Sequence, residues 1–348
     1  MSIPLLSRLS RLTAPAYRMR VGGLLPSQTL KDRLLSINVT LNNGHSNDQL
    51  SLSFDDRPGV LGNSIHLPTQ GKTIDIAMGY ETYLTSMGRF QVNHISLDGS
   101  GSGRTLTVAA TTDLMLTQKT QTWATTTIGA MVTKIAGEHG LIAKVSPVYQ
   151  TQAISVVNQD NESDLAFLNR LAERYNAVCK PLAGNLLFMK KGQGTLPTGL
   201  PMLLPVSIRP QDIVQWSSEL NEREDYSKVI ACWLDWTKGA YQEVSAPAML
   251  VPGLGKQNVY RLRHLYNTAG EAKAAAKAKF DELNRGDSTL SMTVIGNPDI
   301  SAEGSIAVSG LRSGVNGRWI VKSATHSFSS GGYQTSIQAY MEPTALAI

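Results

Sequence analysis

The chain has 348 residues, of which 42% are hydrophobic and 17% are charged, and its formal net charge is +5 at pH 7. This balance is typical of folded domains and excludes a largely disordered chain. The Lys and Arg residues are scattered, so the positive charge does not by itself predict nucleic-acid binding. No apolar stretch reaches the roughly eighteen residues of a membrane-spanning helix, and Arg8 and Arg11 interrupt the apolar run that a secretory signal would need.

Residues 17–110 carry the two-residue apolar alternation of half-buried β-strands. Turn-forming residues separate the strands, notably Asn42-Asn43-Gly44 and the loop Gly99–Gly103. Five or so short strands with such turns predict a small barrel or sandwich. The residues predicted to face its core are Ile37, Val39, Leu41, Leu50, Leu52, Phe54, Ile74, Ile76, Met78, Phe90, Val92 and His94.

Residues 111–200 carry the periodicity of two amphipathic helices. The first is capped within Thr125–Thr127 and ends at Gly140. The second begins near Asn161, with Asp164 in a variant of the capping box, and a hairpin at Gly184-Asn185 follows. These features predict a small mixed α/β unit. The buried helix residues are predicted to be Ile128, Met131, Val132, Ile135, Leu165, Leu168, Leu171, Ala172 and Tyr175.

Beyond a Pro- and Gly-rich linker at 195–205, a second β-rich region extends from Val206 to Pro343. A long helix interrupts it, because the capping box Thr268–Glu271 precedes an Ala-rich sequence that Gly286 ends. We therefore predict three parts: a β-rich domain with an N-terminal arm at 1–115, a small α/β domain at 116–200, and a second β-rich domain at 201–348 with a helical insert around 240–286. A structural duplication of the two β-rich parts is a hypothesis that the sequence leaves open.

No motif predicts an active site. The loop Gly99–Gly103 lacks the lysine of a phosphate loop, and a strand follows it instead of a helix. Asp55 and Asp56 are adjacent on a strand, so their carboxylates diverge. The remaining candidates are attributed to helix capping and solvation, or lie in no nucleophile elbow. They are Glu162, Asp164, Glu173, Ser163 and Ser227.

The histidine, tryptophan and cysteine residues are predicted to be structural. None of His66, His94, His139, His264 and His326 has a second ligand at metal-binding spacing, and His94 and His326 are predicted to pack at a barrel end. Trp233 is assigned to the core and Trp236 to its rim, with base stacking as the alternative. Cys179 and Cys232 indicate buried thiols in a reducing compartment, or a single disulfide. No residue is assigned a catalytic, cofactor-binding or metal-binding role.

The order of several segments resembles the late control D family of contractile phage tails. The strongest segment is KTQTWATTTIGAMVTKIAGEHGL at Lys119–Leu141. The others follow in the family's order and cover nearly the whole chain. They are Asp32–Thr40, Asp48–Gly59, Leu67–Tyr80, Met87–Ile95, the NESDLAFLNRLAERYNA and NLLFMKKG segments, Gly317–Phe328 and TSIQAYM.

The resemblance implies a mainly β fold with α/β insertions, in which two tube-type β-barrel domains and smaller mixed domains assemble as a pseudo-sixfold trimeric ring. It implies a non-enzymatic baseplate hub without a cofactor, similar to the N-terminal hub part of type VI secretion spike proteins. Such a hub joins a trimeric spike to the sixfold tail tube, with the tape-measure protein and baseplate wedge components as further partners. It is expected to bind no specific nucleic acid, to be made in the bacterial cytoplasm and to be assembled into the tail baseplate.

Three alternatives stay open at this point. A tail-associated peptidoglycan hydrolase needs a carboxylic acid of raised pKa with a partner in a cleft, and no such pair stands out. A DNA-binding regulator needs a helix-turn-helix, for which the helices at 128–138 and 162–178 are too far apart. A type VI secretion-like hub differs from a phage hub in gene neighbourhood rather than in residues.

Overall fold

The computed structural model of the chain describes residues 14–43, 47–57, 65, 69–101, 103–112, 117–182, 184–190, 205–220, 226–236, 238–246, 258–283 and 288–341. The predictions for the N-terminal arm, Gly44, His66, most of the 195–205 linker and Gly286 lie outside these residues. Strands predominate in the described part, in agreement with a mainly β fold.

Within the described residues, the first β-rich part contains six strands and a short helix: β1 (Pro15–Val21), α1 (Gln28–Asp32), β2 (Leu34–Asn42), β3 (Gln49–Asp55), β4 (Thr73–Tyr80), β5 (Tyr83–Ser100) and β6 (Gly103–Thr111). Their order in the sheet is β1-β4-β5-β6-β3-β2, and all neighbours are antiparallel. The predicted core residues are buried, except His94. A β-bulge between Val92 and His94 shifts the alternation by one residue, so His94 is exposed and its predicted packing is wrong.

The middle part is the predicted mixed α/β unit, with β7 (Gln118–Thr127), α2 (Ile128–Glu138), β8 (Ile142–Val145), α3 (Pro147–Gln150), β9 (Ala153–Ser163), α4 (Asp164–Arg174), β10 (Ala177–Leu182) and β11 (Asn185–Lys190). β7 pairs with β9, whereas β10, β11 and β8 form a separate sheet. The Thr127 side chain caps α2, and Gly140 follows the helix with φ +66, as glycine permits. Ser163 caps α4, so this helix begins later than predicted.

The last part contains β12 (Val206–Ile208), β13 (Ile213–Glu219), β14 (Tyr226–Asp235), β15 (Ala240–Ser245), β16 (Asn258–Tyr266), α5 (Ala269–Leu283), β17 (Thr289–Ile295), β18 (Ser305–Val308), β19 (Gly317–Ser329) and β20 (Gly332–Met341). The predicted helical insert has a sheet of its own, β15-β14-β16, against which α5 packs Ala272, Ala276 and Phe280. The small alanines let the helix approach the sheet closely. The strand around Val229–Trp233 therefore belongs to the insert.

One long strand, β19, joins the two β-rich parts. Residues 317–320 pair with β18 and residues 323–329 pair with β2, while β20 runs along the other edge. The structure thus contains one continuous twelve-stranded sheet. The closure of each part into a barrel and the domain boundaries stay predictions.

The two β-rich parts repeat one topology. We call β1–β6 the first half, and β12, β13 and β17–β20 the second half. Their sheet orders, β1-β4-β5-β6-β3-β2 and β12-β18-β19-β20-β17-β13, correspond strand for strand in chain order. One strand pairing differs between the halves, since β1 pairs antiparallel with β4 whereas β12 pairs parallel with β18. The insert β14–α5 occupies the place of the short β2–β3 connection.

Two irregularities of the sheet recur at equivalent places. β5 is bulged after Val92 and β19 after Val321, and β2 and β13 are both bulged near their starts. A bulge redirects all later side chains, so matching bulges keep the same residues in the core of both halves. The buried pairs at equivalent positions are Phe90 and Trp319, Val92 and Val321, Leu50 and Leu290, Leu52 and Met292, Val108 and Ile337, and Ala110 and Ala339.

Over the residues that the structure describes, no helix combines the length and the apolar character needed to cross a membrane.

Candidate assembly surface

The junction between β2 and β19 shows how two halves of this topology join. The strands are antiparallel, and the hydroxyl oxygens of Thr40 and Thr325 lie 3.1 Å apart across them. On the core face of β2, Ile37 and Leu41 are buried where Phe328 and Ala324 oppose them. Pairing therefore turns this strand edge into part of the core.

β13 takes the place of β2 in the second half, but its outer edge has no ladder partner among the described residues. Trp216 and Leu220 occupy the places of Ile37 and Leu41, and their exposed fractions are 39% and 48%, against 0% and 1%. Apolar side chains along an unpaired strand edge form a surface suited to another strand.

Among the described residues, part of β5 also has an unpaired edge, which is complementary to the edge of β13. Residues 83–91 pair with β4, but residues 94–100 have no described ladder partner on that side of the strand. The equivalent residues of β19 are those that pair with β2. Leu97 is exposed here and Ile95 is half-buried. We call the outer edge of β13 and this edge of β5 the two open edges.

A second contact helps to fix the relative orientation of the halves. The Tyr80 hydroxyl donates to the Gly296 carbonyl oxygen at 2.8 Å, and the Tyr83 hydroxyl donates to Asp299 Oδ1 at 2.8 Å. Burial raises the pKa of the Asp299 carboxyl, and the hydrogen bond from Tyr83 opposes the rise. With the β2–β19 ladder, these bonds hold the two halves as one unit.

His326 lies buried near this contact and matches its predicted structural role. Its Nε2 is 2.9 Å from the Ile300 carbonyl oxygen, which can only accept, so Nε2 carries the proton. Nδ1 then accepts from the Tyr333 hydroxyl at 2.8 Å. Burial lowers the pKa of His326 to about 4, against the opposing effect of the Ile300 carbonyl.

We expect the stability to fall as the pH falls from about 6.5 towards 4. In this pH window His326 binds a proton in the unfolded chain but stays neutral in the folded chain. Proton binding therefore stabilises the unfolded state relative to the folded state. The loss is on the order of 3 kcal/mol from this group. Urea unfolding of the wild type and of His326→Asn at pH 7, 5.5 and 4.5 measures it. Equal pH slopes for the two proteins would contradict the assignment.

The paired aspartates diverge as predicted. Asp55 forms an ion pair with Arg57 at 2.5 Å, while the buried Asp56 accepts a hydrogen bond from the Ile65 backbone N–H. The hydrogen bonds from Arg57 lower the pKa of Asp55 to about 2. The two carboxylates thus serve separate local contacts and do not form an acid/base pair.

Asp164 is not the solvated cap that the sequence suggested. Its side chain is buried, and its Oδ2 lies 2.7 Å from both Lys119 Nζ and His139 Nε2, while Oδ1 accepts from Gln159. Burial alone would raise the pKa of Asp164, but the hydrogen bonds from Lys119, Gln159 and His139 together lower it. The cluster joins β7, the C-terminal end of α2 and the start of α4.

The other candidate residues stay apart. Glu162 forms an ion pair with Arg170, and Glu173 is exposed to solvent. Trp233 packs against the core of the insert, whereas Trp236 is 78% exposed. Both cysteines are free thiols, and burial raises the pKa of Cys179. In the described ranges, no group of three or more His, Cys, Asp or Glu side chains could hold a metal ion.

A small cavity of about 380 Å³ lies between the β7–β9 pair and the start of α5. Its lining includes Thr125, Thr268 and Glu271, and the Glu271 carboxylate accepts from the Ser155 hydroxyl at 3.1 Å. Among the described lining residues Glu271 has the one carboxylate, and that carboxylate is already hydrogen-bonded. The open edges are therefore the candidate functional surface. Sequence reasoning missed them because the residues of a strand do not show whether its edge has a neighbour in the fold.

Comparison with known proteins places these features in a family. A sequence model of the family described as phage tail baseplate hub (GPD) matches residues 71–332. The probable baseplate hub protein of Escherichia phage P2 is 29% identical over 364 residues, which cover 93% of this chain and 92% of that protein.

Two solved structures share the fold. The 43 kDa tail protein of prophage MuSo2 from Shewanella oneidensis has a TM-score of 0.67 at 14% identity, covering 94% of this chain and 98% of that one. A component of the E. coli type VI secretion system has a TM-score of 0.58 at 12% identity, covering 94% and 77%. At these identities the likeness extends to the fold alone.

Proposed function

This chain belongs to the phage tail baseplate hub (GPD) family, and on that premise we propose that it is the structural hub of a contractile tail baseplate. In this proposal three copies close into a ring between a trimeric spike and the sixfold tail tube. The ring adapts threefold to sixfold symmetry and nucleates the tube. The tape-measure protein and baseplate wedge components are its further partners, and the chain is assembled into the baseplate after synthesis in the bacterial cytoplasm.

The internal duplication is the observation that supports this role most directly. One chain contains two halves of the same strand order, joined by β19. A trimer of such chains presents six similar halves to one partner while keeping threefold symmetry for another. A protein between a trimeric spike and a sixfold tube needs this combination.

A type VI secretion-like hub is the second candidate, because the E. coli secretion component has the same fold. The two roles share the ring geometry and differ in the surrounding particle. The neighbouring genes distinguish them, because they encode the other components of the surrounding particle.

The proposal predicts a three-to-three complex with the spike. We expect native mass spectrometry of the chain, co-expressed with the spike candidate encoded beside it, to show three copies of this chain on one trimeric spike. A chain that stays monomeric and does not bind the spike would contradict the hub function. The same sample without the spike gene tests whether the ring needs its partner to form.

A further inference from the structure

We propose that β13 of one copy pairs antiparallel with residues 95–100 of β5 in the next copy. This pairing repeats between chains the junction that β2 and β19 make within each chain. The inference rests on the proposed trimeric hub, and it names the surface by which the copies join. The partner on each open edge is a second copy of this chain.

The duplicated topology supports this pairing between copies. β13 is the equivalent of β2, and residues 94–100 of β5 are the equivalent of residues 323–329 of β19. Each chain therefore contains one completed junction and the two separated sides of another. A head-to-tail arrangement brings every β13 against a β5, and a closed ring of three copies leaves neither open edge unpaired.

The equivalence also predicts the register. In the completed junction Leu41, Asn38 and Ile37 lie opposite Ala324, Ser327 and Phe328. Carried to the equivalent residues, this register sets Leu220 opposite Ile95, Ser217 opposite Asp98 and Trp216 opposite Gly99.

The side chains that meet in this register are compatible on both faces of the sheet. On the core face, the large Trp216 lies over Gly99, which has no side chain, and Leu220 meets Ile95. The exposed apolar surface of β13 is thereby covered. On the other face, Ser217 lies opposite Asp98, where a hydroxyl can donate to a carboxylate. A slip of one residue would move the apolar side chains of β13 to the polar face.

A rival arrangement pairs β13 with β1, which is the opposite end of the twelve-stranded sheet. The duplication argues against it. β1 is the equivalent of β12, and the far edge of β12 is unpaired within the described part of the chain. The completed junction thus offers no precedent for a partner on β1.

Cysteine cross-linking of the full chain tests the register. In a Cys179→Ala, Cys232→Ser background, Ser217→Cys is combined with Asp98→Cys, or with Arg18→Cys on β1 as the rival pair. Both proteins are treated with a short thiol cross-linker, alone and with the spike. We expect cross-linked dimers and trimers from the Asp98 pair and not from either single variant.

Each other outcome overturns the inference. Cross-linking through the Arg18 pair, or a trimer by native mass in which the Asp98 pair does not cross-link, would overturn this interface and leave the hub function intact. A chain that is monomeric with and without the spike would overturn both.

A single substitution gives an independent readout. Trp216→Glu places a charge on the proposed buried face, and we expect the copies to associate about thirtyfold more weakly or worse. Its control is Trp236→Glu, because Trp236 is exposed on the insert and lies outside the proposed interface. Circular dichroism confirms that both variants fold. Unchanged association of folded Trp216→Glu would overturn the proposal.

Discussion

Replacing Asp48 by alanine should lower the free energy of unfolding by about 3–5 kcal/mol, the usual cost of breaking one side of a buried ion pair. Asp48 Oδ1 accepts from Lys180 Nζ at 2.7 Å and from the Asn42 backbone N–H at 2.8 Å. Its side chain is fully buried, and that of Lys180 is 12% exposed. The pair joins the first half of the sheet to the α/β unit, so its loss leaves a cation in the contact between them.

A double variant separates this cause from a general loss of packing. Burial raises the pKa of Asp48, and the Lys180 ammonium opposes the rise. An apolar replacement of both partners removes the unpaired charge, so Asp48→Ala with Lys180→Met should be less destabilised than Asp48→Ala alone. Chemical denaturation measures both.

An exposed ion pair provides the matched control. Arg89 Nε lies 2.7 Å from Asp75 Oδ1 on the surface of the first half. Asp75→Ala should cost no more than about 1 kcal/mol, because solvent screens this pair. A loss for Asp48→Ala no larger than that of the control would show that the Asp48–Lys180 pair is not buried in solution.

Replacing Trp319 by alanine should also cost about 3–5 kcal/mol, because it empties the centre of the second half. The indole is fully buried, and its Nε1–H donates to the Val315 carbonyl oxygen at 2.9 Å. Phe90 occupies the equivalent place in the first half and is equally buried. We therefore expect Phe90→Ala to fall in the same range, as measured by urea unfolding followed by circular dichroism.

The control for these two variants is Trp236→Ala. Trp236 is the same residue type as Trp319 but is exposed on the insert, so its loss should change stability by no more than about 0.5 kcal/mol. A small effect at Trp319 alongside a large one at Phe90 would argue that the two halves do not have equivalent cores.

Local patterns in the sequence predicted much of the secondary structure. The alternation in β3 and β4 and the helical stripe of α2 were confirmed residue by residue, because a strand or helix buries whichever side its period makes apolar. The cap at Thr127 and the end at Gly140 followed from short-range hydrogen bonding. His94 was misplaced because a bulge depends on the partner strand, which the alternation does not reveal.

Two charged sites were likewise not predictable from local sequence patterns. Asp164 has the sequence position of a helix-start acid, and only folding brings Lys119 and His139 to its carboxylate. Asp48 meets Lys180, 132 residues away, and neither residue carries a local sign of the partner.

The strand and helix periods, the caps and the family resemblance can be read from the sequence alone, since each depends on neighbouring residues or on their order. Which strands are adjacent, in contrast, depends on the complete fold. Thr40 meets Thr325 across 285 residues, and this contact makes one sheet of two halves. The same pairing buries Ile37, whereas the equivalent Trp216 lies on an edge without a described partner and is exposed. A strand's side-chain pattern sets which of its faces is apolar, whereas burial of its edge requires a partner strand that the whole fold brings there.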